Sequence, residues 1–164
     1  MRTIGTFELR REQRAQWHAL ELQQDWAKRY PELFDADDTR LATGKQGREG
    51  YHHSEWLAAI ILHHLTGYRA LVGKYQFHRA KKEIVRSLGL GTALLSKHAE
   101  FRNTQGPDLL MFAPDLSDYF LCEVKGPNDE LTPLQEQYFQ FLEEATGRQI
   151  QLMRFRWAPK TPKP

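Results

Sequence analysis

The chain has 164 residues, 40% of them hydrophobic, enough for one domain with a real core and too few for two comfortable ones. A formal net charge of +2 confers no general affinity for polyanions, so any attraction to phosphate has to come from local clustering. Cys122 is the single cysteine, no charged-then-apolar leader opens the chain, and the longest apolar stretch, Trp56 to Leu62, falls far short of the roughly 20 residues of a membrane helix. The expectation is a soluble, cytoplasmic protein with no membrane partner.

From Thr6 to Tyr30, Arg10, Arg11, Arg14, Lys28 and Arg29 alternate with Trp17, Leu20 and Trp26 in a broken apolar period, which predicts one or two surface helices ended by Pro31. Asp35 to Gly50 is polar, Gly-containing and aperiodic, and reads as a loop or linker. Residues 1–50 are therefore expected to form a helical extension and linker, residues 51–158 the main domain, and residues 159–164 a frayed, Pro- and Lys-rich tail. Ser54 is the predicted N-cap of a helix carrying Leu57, Ile60, Ile61 and Leu65, with Glu55 in its first turn and Gly67 as its stop. Tyr68 to Phe77 is ambiguous, with a strand as one option, and Arg79 to Leu88 reads as a basic helix before Gly89.

The last third is better punctuated. Strands over about 108–113 and 119–125, separated by a turn at Pro114 to Asp118, predict a hairpin. Thr132 as N-cap and Pro133 at the first helical position open a helix with Leu134, Tyr138, Phe141, Leu142 and Ala145 on its apolar face, closed by Gly147. Alternation around Ile150, Leu152, Phe155 and Trp157 gives a final strand.

Side chains alternate faces along a strand, so Phe120, Cys122 and Val124 share one side while Leu121, Glu123 and Lys125 share the other. A carboxylate and an ammonium are thus placed together beside Gly126 and Pro127, where the chain must turn. Asp108 follows Gly106 and Pro107 at the start of the preceding strand, and a short hairpin would bring it beside Glu123. Two converging carboxylates repel unless a cation sits between them, and hard oxygen ligands suit Mg²⁺ or Mn²⁺. Phosphodiester hydrolysis needs an activated water and neutralisation of developing charge, which a divalent ion and Lys125 would supply.

The string Gly106-Pro107-Asp108-Leu109-Leu110, then Cys122-Glu123-Val124-Lys125-Gly126-Pro127-Asn128-Asp129, Leu131 and Gln135, resembles the VRR-NUC branch of the PD-(D/E)XK nuclease superfamily over roughly residues 106–157. The resemblance implies an α/β, restriction-endonuclease-like core: a mixed central β-sheet flanked by helices, here with an N-terminal helical extension. It implies Asp108 and Glu123 as metal ligands, with Val124 counted in the metal set, Lys125 as the catalytic lysine and Gln135 as an active-site helper. It also implies Mg²⁺ or Mn²⁺ dependence and action on DNA ends, flaps or junctions in replication, repair or recombination. A further metal-site glutamate is assigned to Glu55, with Glu83 and Glu100 as competitors.

Plainer readings stand beside these. Asp108 could cap a turn, Glu123 and Lys125 could be a solvated ion pair, and Glu55 could simply favour the helix dipole. Thr132-Pro133-Leu134-Gln135 also reads as a capping box. His52, His53, His63 and His64 are too widely spaced for one zinc ion, since eleven helical residues span about 16 Å. Lys81, Lys82, Arg86, Lys97 and Arg102 are assigned to nucleic-acid backbone, with Arg10, Arg11 and Arg14 as further candidates. Trp17 and Trp26 are assigned to core or dimer packing rather than base stacking. Two alternatives to the nuclease remain: a non-catalytic nucleic-acid-binding module of the same fold, and an interaction or immunity protein. A homodimer is compatible with a two-fold substrate.

Overall fold

The computed structural model describes residues 1–160, so most of the predicted tail, residues 161–164, lies outside the described residues. The chain begins with strand β1 (Arg2–Leu9), followed by α1 (Arg11–His18), α2 (Leu22–Arg29), α3 (Ala36–Thr43), α4 (Lys45–Arg48) and α5 (His53–Thr66). Strand β2 (Arg69–Leu71) and helix α6 (Arg79–Ser87) precede a π-helical turn at Gly91–Leu95 and a 3₁₀ turn at Ala99–Phe101. The hairpin β3 (Leu109–Phe112) and β4 (Tyr119–Lys125), helix α7 (Pro133–Thr146) and strand β5 (Gln151–Trp157) complete the fold.

The five strands form one mixed sheet in the order β1-β5-β4-β3-β2. Strand β3 pairs antiparallel with both β2 and β4, whereas β5 runs parallel to β4 and to β1. A parallel neighbour requires a crossover, and α7 provides it between β4 and β5. That helix forms where expected because Thr132 accepts from the Gln135 amide, Pro133 occupies the first turn and Gly147 closes it at a φ of +68°.

Alternation along the strands divides the core into two layers. Leu109, Met111, Cys122, Val124, Met153 and Phe155 face α5 and the N-terminal helices. Leu110, Phe112 and Leu121 face Val85, Leu94, Tyr138, Phe139 and Leu142 on the other side. The molecule is thus an α/β protein, a mixed sheet between helical layers, with the restriction-endonuclease-like arrangement.

The N-terminal region corrects the sequence reading. Residues 2–9 form an edge strand rather than helix, in register with β5 from Arg2 opposite Gln151 to Leu9 opposite Trp157. Trp17 and Trp26 are buried, and Trp17 meets Trp56 edge-on at 5.4 Å. The predicted 35–50 loop contains α3 and α4: Asp35 accepts from the Asp38 amide at 2.8 Å, and Asp38 accepts from the Asp35 amide at 3.1 Å. This Asp-x-x-Asp is a reciprocal cap, a signal available in the polar sequence. Its sharp turn into α4 requires Gly47, where a Cβ would lie 1.5 Å from the Ala42 carbonyl oxygen. At α5, the N-cap is His52 at a left-handed φ of +70°, not Ser54, which is already helical.

Candidate active site

Pairing of Leu109 with Cys122 puts the preceding residue, Asp108, beside Glu123. The Asp108 amide donates to Glu123 Oε2 at 3.3 Å, and the Val124 amide donates to Asp108 Oδ2 at 2.8 Å. The hairpin register therefore builds the carboxylate pair, with the Glu123 side chain held on the Asp108 amide and the Asp108 side chain on the Val124 amide. Lys125 Nζ lies 2.8 Å from Glu123 Oε1. Gln135 Nε2 donates to that same oxygen at 3.2 Å, while Lys125 donates to Gln135 Oε1 at 3.4 Å.

Glu123 and Lys125 are buried at 2% and 8% exposure, so they are not the solvated surface pair of the plainer reading. Gln135 also accepts from the Thr132 amide at 3.1 Å, so it completes the helix cap and touches the ion pair simultaneously.

Asp108, Glu123, Lys125, Gln135 and Glu55 line one cavity of about 410 Å³. Burial pushes the Asp108 carboxyl well above its ordinary range, and the charges of Glu55 and Glu123 push it further. Burial also raises Glu123, against the opposing hydrogen bond and charge of Lys125. Glu49, Glu55, Asp108, Glu123 and Asp129 line the cavity against Lys125 and Arg14, an excess of carboxylate that favours a proton or a cation. The hard oxygen donors of Asp108 and Glu123 fit a divalent ion of the Mg²⁺ or Mn²⁺ class. Among the described residues, no three His, Cys, Asp or Glu side chains form a closed ligand set, so the fit rests on this pair, with Glu55 on the cavity wall.

Of the competing glutamates, Glu83 is exposed and pairs with Arg86, and Glu100 is exposed on the 3₁₀ turn. Glu55 is held by His52 Nδ1 at 3.1 Å, and His52 Nε2 contacts Gln46 Oε1 at 3.0 Å. Burial depresses the His52 ring, but the hydrogen bond and charge of Glu55, with the charge of Asp38, together leave the pKa raised. The other three histidines of the set considered for zinc are scattered. His53 is buried against Trp17 and Trp26, His63 contacts Glu32, and His64 contacts the Tyr30 hydroxyl.

The basic set does not stay together. Lys81 is buried at 4% exposure, pairs with Asp38 and donates to the Val72 carbonyl at 2.9 Å, so its ammonium is committed inside the fold. Arg86 is taken by Glu83, while Lys82, Lys97 and Arg102 border a separate groove. Asp129 and Arg14 also line the carboxylate cavity, beyond the residues assigned to the metal and catalytic set. Asp129 accepts from the Gly126 amide at 3.1 Å, and Arg14 reaches the cavity from α1. Arg14 packs on Gly50, where a Cβ would meet Nη2 at 2.7 Å. Burial lowers its pKa, against the charge of Asp129, and it makes no ion pair within 4.0 Å among the described residues. The basic N-terminal pattern offered Arg14 only as a phosphate-backbone candidate beside Arg10 and Arg11; its place at this cavity depends on how α1 docks.

A family model described as the VRR-NUC domain matches residues 51–157, well over half the chain. No curated protein matched. The matched region contains β2 to β5 and all the predicted carboxylate and lysine positions, whereas β1 and Arg14 precede it.

Proposed function

The chain belongs to the VRR-NUC domain family, a branch of the PD-(D/E)XK nuclease superfamily, and from that premise we propose that it hydrolyses DNA phosphodiester bonds with a divalent metal. The observation that carries this reading is the convergence of Asp108, Glu123, Lys125 and Gln135 on one cavity. Asp108 and Glu123 would hold Mg²⁺ or Mn²⁺, with Glu55 and the Val124 backbone as further members of the metal set. The bound ion would supply Lewis acidity to the phosphate and lower the pKa of water.

The chain's own groups account for the remaining steps. Lys125, held against Glu123, presents a positive charge where the attacking water and the phosphate meet. Gln135 fixes that ammonium and the shared carboxylate oxygen, restricting both to one arrangement. Arg14 contacts a non-bridging phosphate oxygen from the opposite element, a role suited to a guanidinium without a carboxylate partner. Ends, flaps or junctions are the preferred substrates in this proposal, and a two-fold junction would engage a homodimer.

Labelled single-stranded, duplex, flap and four-way-junction DNA, incubated with Mg²⁺, Mn²⁺ or EDTA, provides the test. Metal-dependent cutting that falls at least 100-fold in folded Asp108→Ala and Lys125→Ala variants supports the reading. Binding of these DNAs without cutting under any metal condition rejects it in favour of a non-catalytic binding module.

A further inference from the structure

A second concavity, about 600 Å³ in volume, lies between α6, the π-helical turn, the 3₁₀ turn and α7. Exposed Phe77 and partly exposed Phe101 supply its aromatic surface, with buried Tyr138 packed behind Phe101, and Lys82, Lys97 and Arg102 supply its charge. Phe77 is 65% exposed, a high value for a phenylalanine that has no structural need to face water. Phe101 and Tyr138 pack at 4.9 Å, which fixes the opposite wall. None of the three cations makes an ion pair among the described residues, in contrast to Lys81 and Arg86 on the same helix as Lys82.

This groove shares Gln76 with a smaller cavity that borders the carboxylates. Gln76 donates to the Leu94 carbonyl at 2.7 Å and accepts from the Gly106 amide at 2.9 Å, bridging the groove's rim and the loop that carries Asp108. That cavity, of about 60 Å³, is lined by Gln76, Glu55 and Asp108 among others. Lys74, exposed at a left-handed φ of +47°, stands at that junction.

Aromatic faces interleaved with unpaired cations suit a strand whose bases are unstacked, because the rings take the bases and the cations the phosphates. Intact duplex keeps its bases stacked on one another and offers those rings nothing. We infer that the groove bounded by Phe77, Lys97 and Arg102 is a binding site for single-stranded DNA, leading through Gln76 to the carboxylates. This rests on the nuclease reading for the class of ligand.

The test reads binding in EDTA, where cleavage does not contribute. A fluorescein-labelled dT12 oligonucleotide and a blunt 12-base-pair duplex are titrated with the full chain by anisotropy. The single strand is expected to bind more tightly. Phe77→Leu should weaken dT12 binding about tenfold, while Phe77→Tyr, which keeps the ring, restores it. Loss of two phosphate contacts in Lys97→Ala/Arg102→Ala should lower the salt slope of log affinity by about 1.4.

Wild-type affinity and slope in both Phe77→Leu and the double variant overturn the groove, even if the protein cuts DNA in the metal assay. The expected losses in a protein that never cuts uphold the groove and leave the nuclease reading to fall alone.

Discussion

Gln135 answers to two demands that can be separated experimentally. Its amide oxygen serves the Thr132 cap and the Lys125 ammonium, and its amide nitrogen serves Glu123. Gln135→Glu keeps a capping-box residue and is expected to stay within about 0.5 kcal/mol of wild type in urea unfolding. It places a second carboxylate against Glu123, so cleavage should fall at least tenfold. Gln135→Ala loses both roles and should also cost about 0.5–1 kcal/mol of stability. Equal activity of Gln135→Glu and wild type would show that the residue is only a cap. His53 makes a different prediction. Burial holds its pKa down to about 4, with Arg14 and His18 adding to the effect, and neither ring nitrogen has a partner among the described residues. The unfolded chain therefore takes up a proton near the ordinary histidine value, while the folded chain resists until about pH 4. Stability from this residue is present above pH 6.5 and is lost as the pH falls towards 4, by about 3 kcal/mol in total. His53→Phe should flatten that dependence and preserve or raise stability at neutral pH, as urea titrations at pH 5 and 7.5 would show.

At the scale of elements, α1 has two faces with separable consequences. Trp17 is fully buried against Trp56 and donates from its indole to the Tyr51 carbonyl at 2.9 Å. Trp17→Ala should cost about 3–5 kcal/mol of folding stability. Arg14, three residues earlier, lines the carboxylate cavity without an ion-pair partner among the described residues. Arg14→Ala should leave the melting temperature close to wild type and raise the KM for DNA at least tenfold, with Arg14→Lys intermediate. A change in stability without a change in KM would assign Arg14 to packing. The hairpin of β3 and β4 shows why the central site was readable: its register depends on a short turn and on alternation within seven residues. Asp108, Glu123 and Lys125 inherit their relation from that local geometry. Arg14 inherits its position from a docking contact.

For the whole molecule, the matched family region accounts for most of the sheet and leaves one edge uncovered. β1 pairs with β5 across almost the full length of the chain, and Leu9, Trp17, Trp26, Leu33, Phe34 and Ala42 are buried in the same layer as Trp56 and Met153. Residues 1–50 therefore serve as sheet edge and core wall, a tighter involvement than an appended helical extension. A chain starting at residue 51 would expose the β5 edge and that apolar layer to water. It is expected to aggregate or to lack a cooperative unfolding transition, whereas the full chain should give coincident transitions by tryptophan fluorescence and far-UV circular dichroism. Cooperative, reversible unfolding of residues 51–164 would refute this.

The local sequence was sufficient for α7, the β3–β4 hairpin, the stop at Gly67 and the carboxylate–lysine constellation, because caps, turns and strand alternation act within a few residues. It did not reveal β1, whose alternation is interrupted by Gly5 and whose partner lies some 150 residues away in β5. The basic helix α6 was legible as a helix, but the fate of its charges was not: Lys81 is turned inward to Asp38, while Lys82 is left at the groove. Charge pattern specifies that such residues are soluble and attractive to anions. Only the packing of distant elements decides which charge is desolvated beside an acid, which stays free, and which, like Arg14, arrives at the carboxylate cavity.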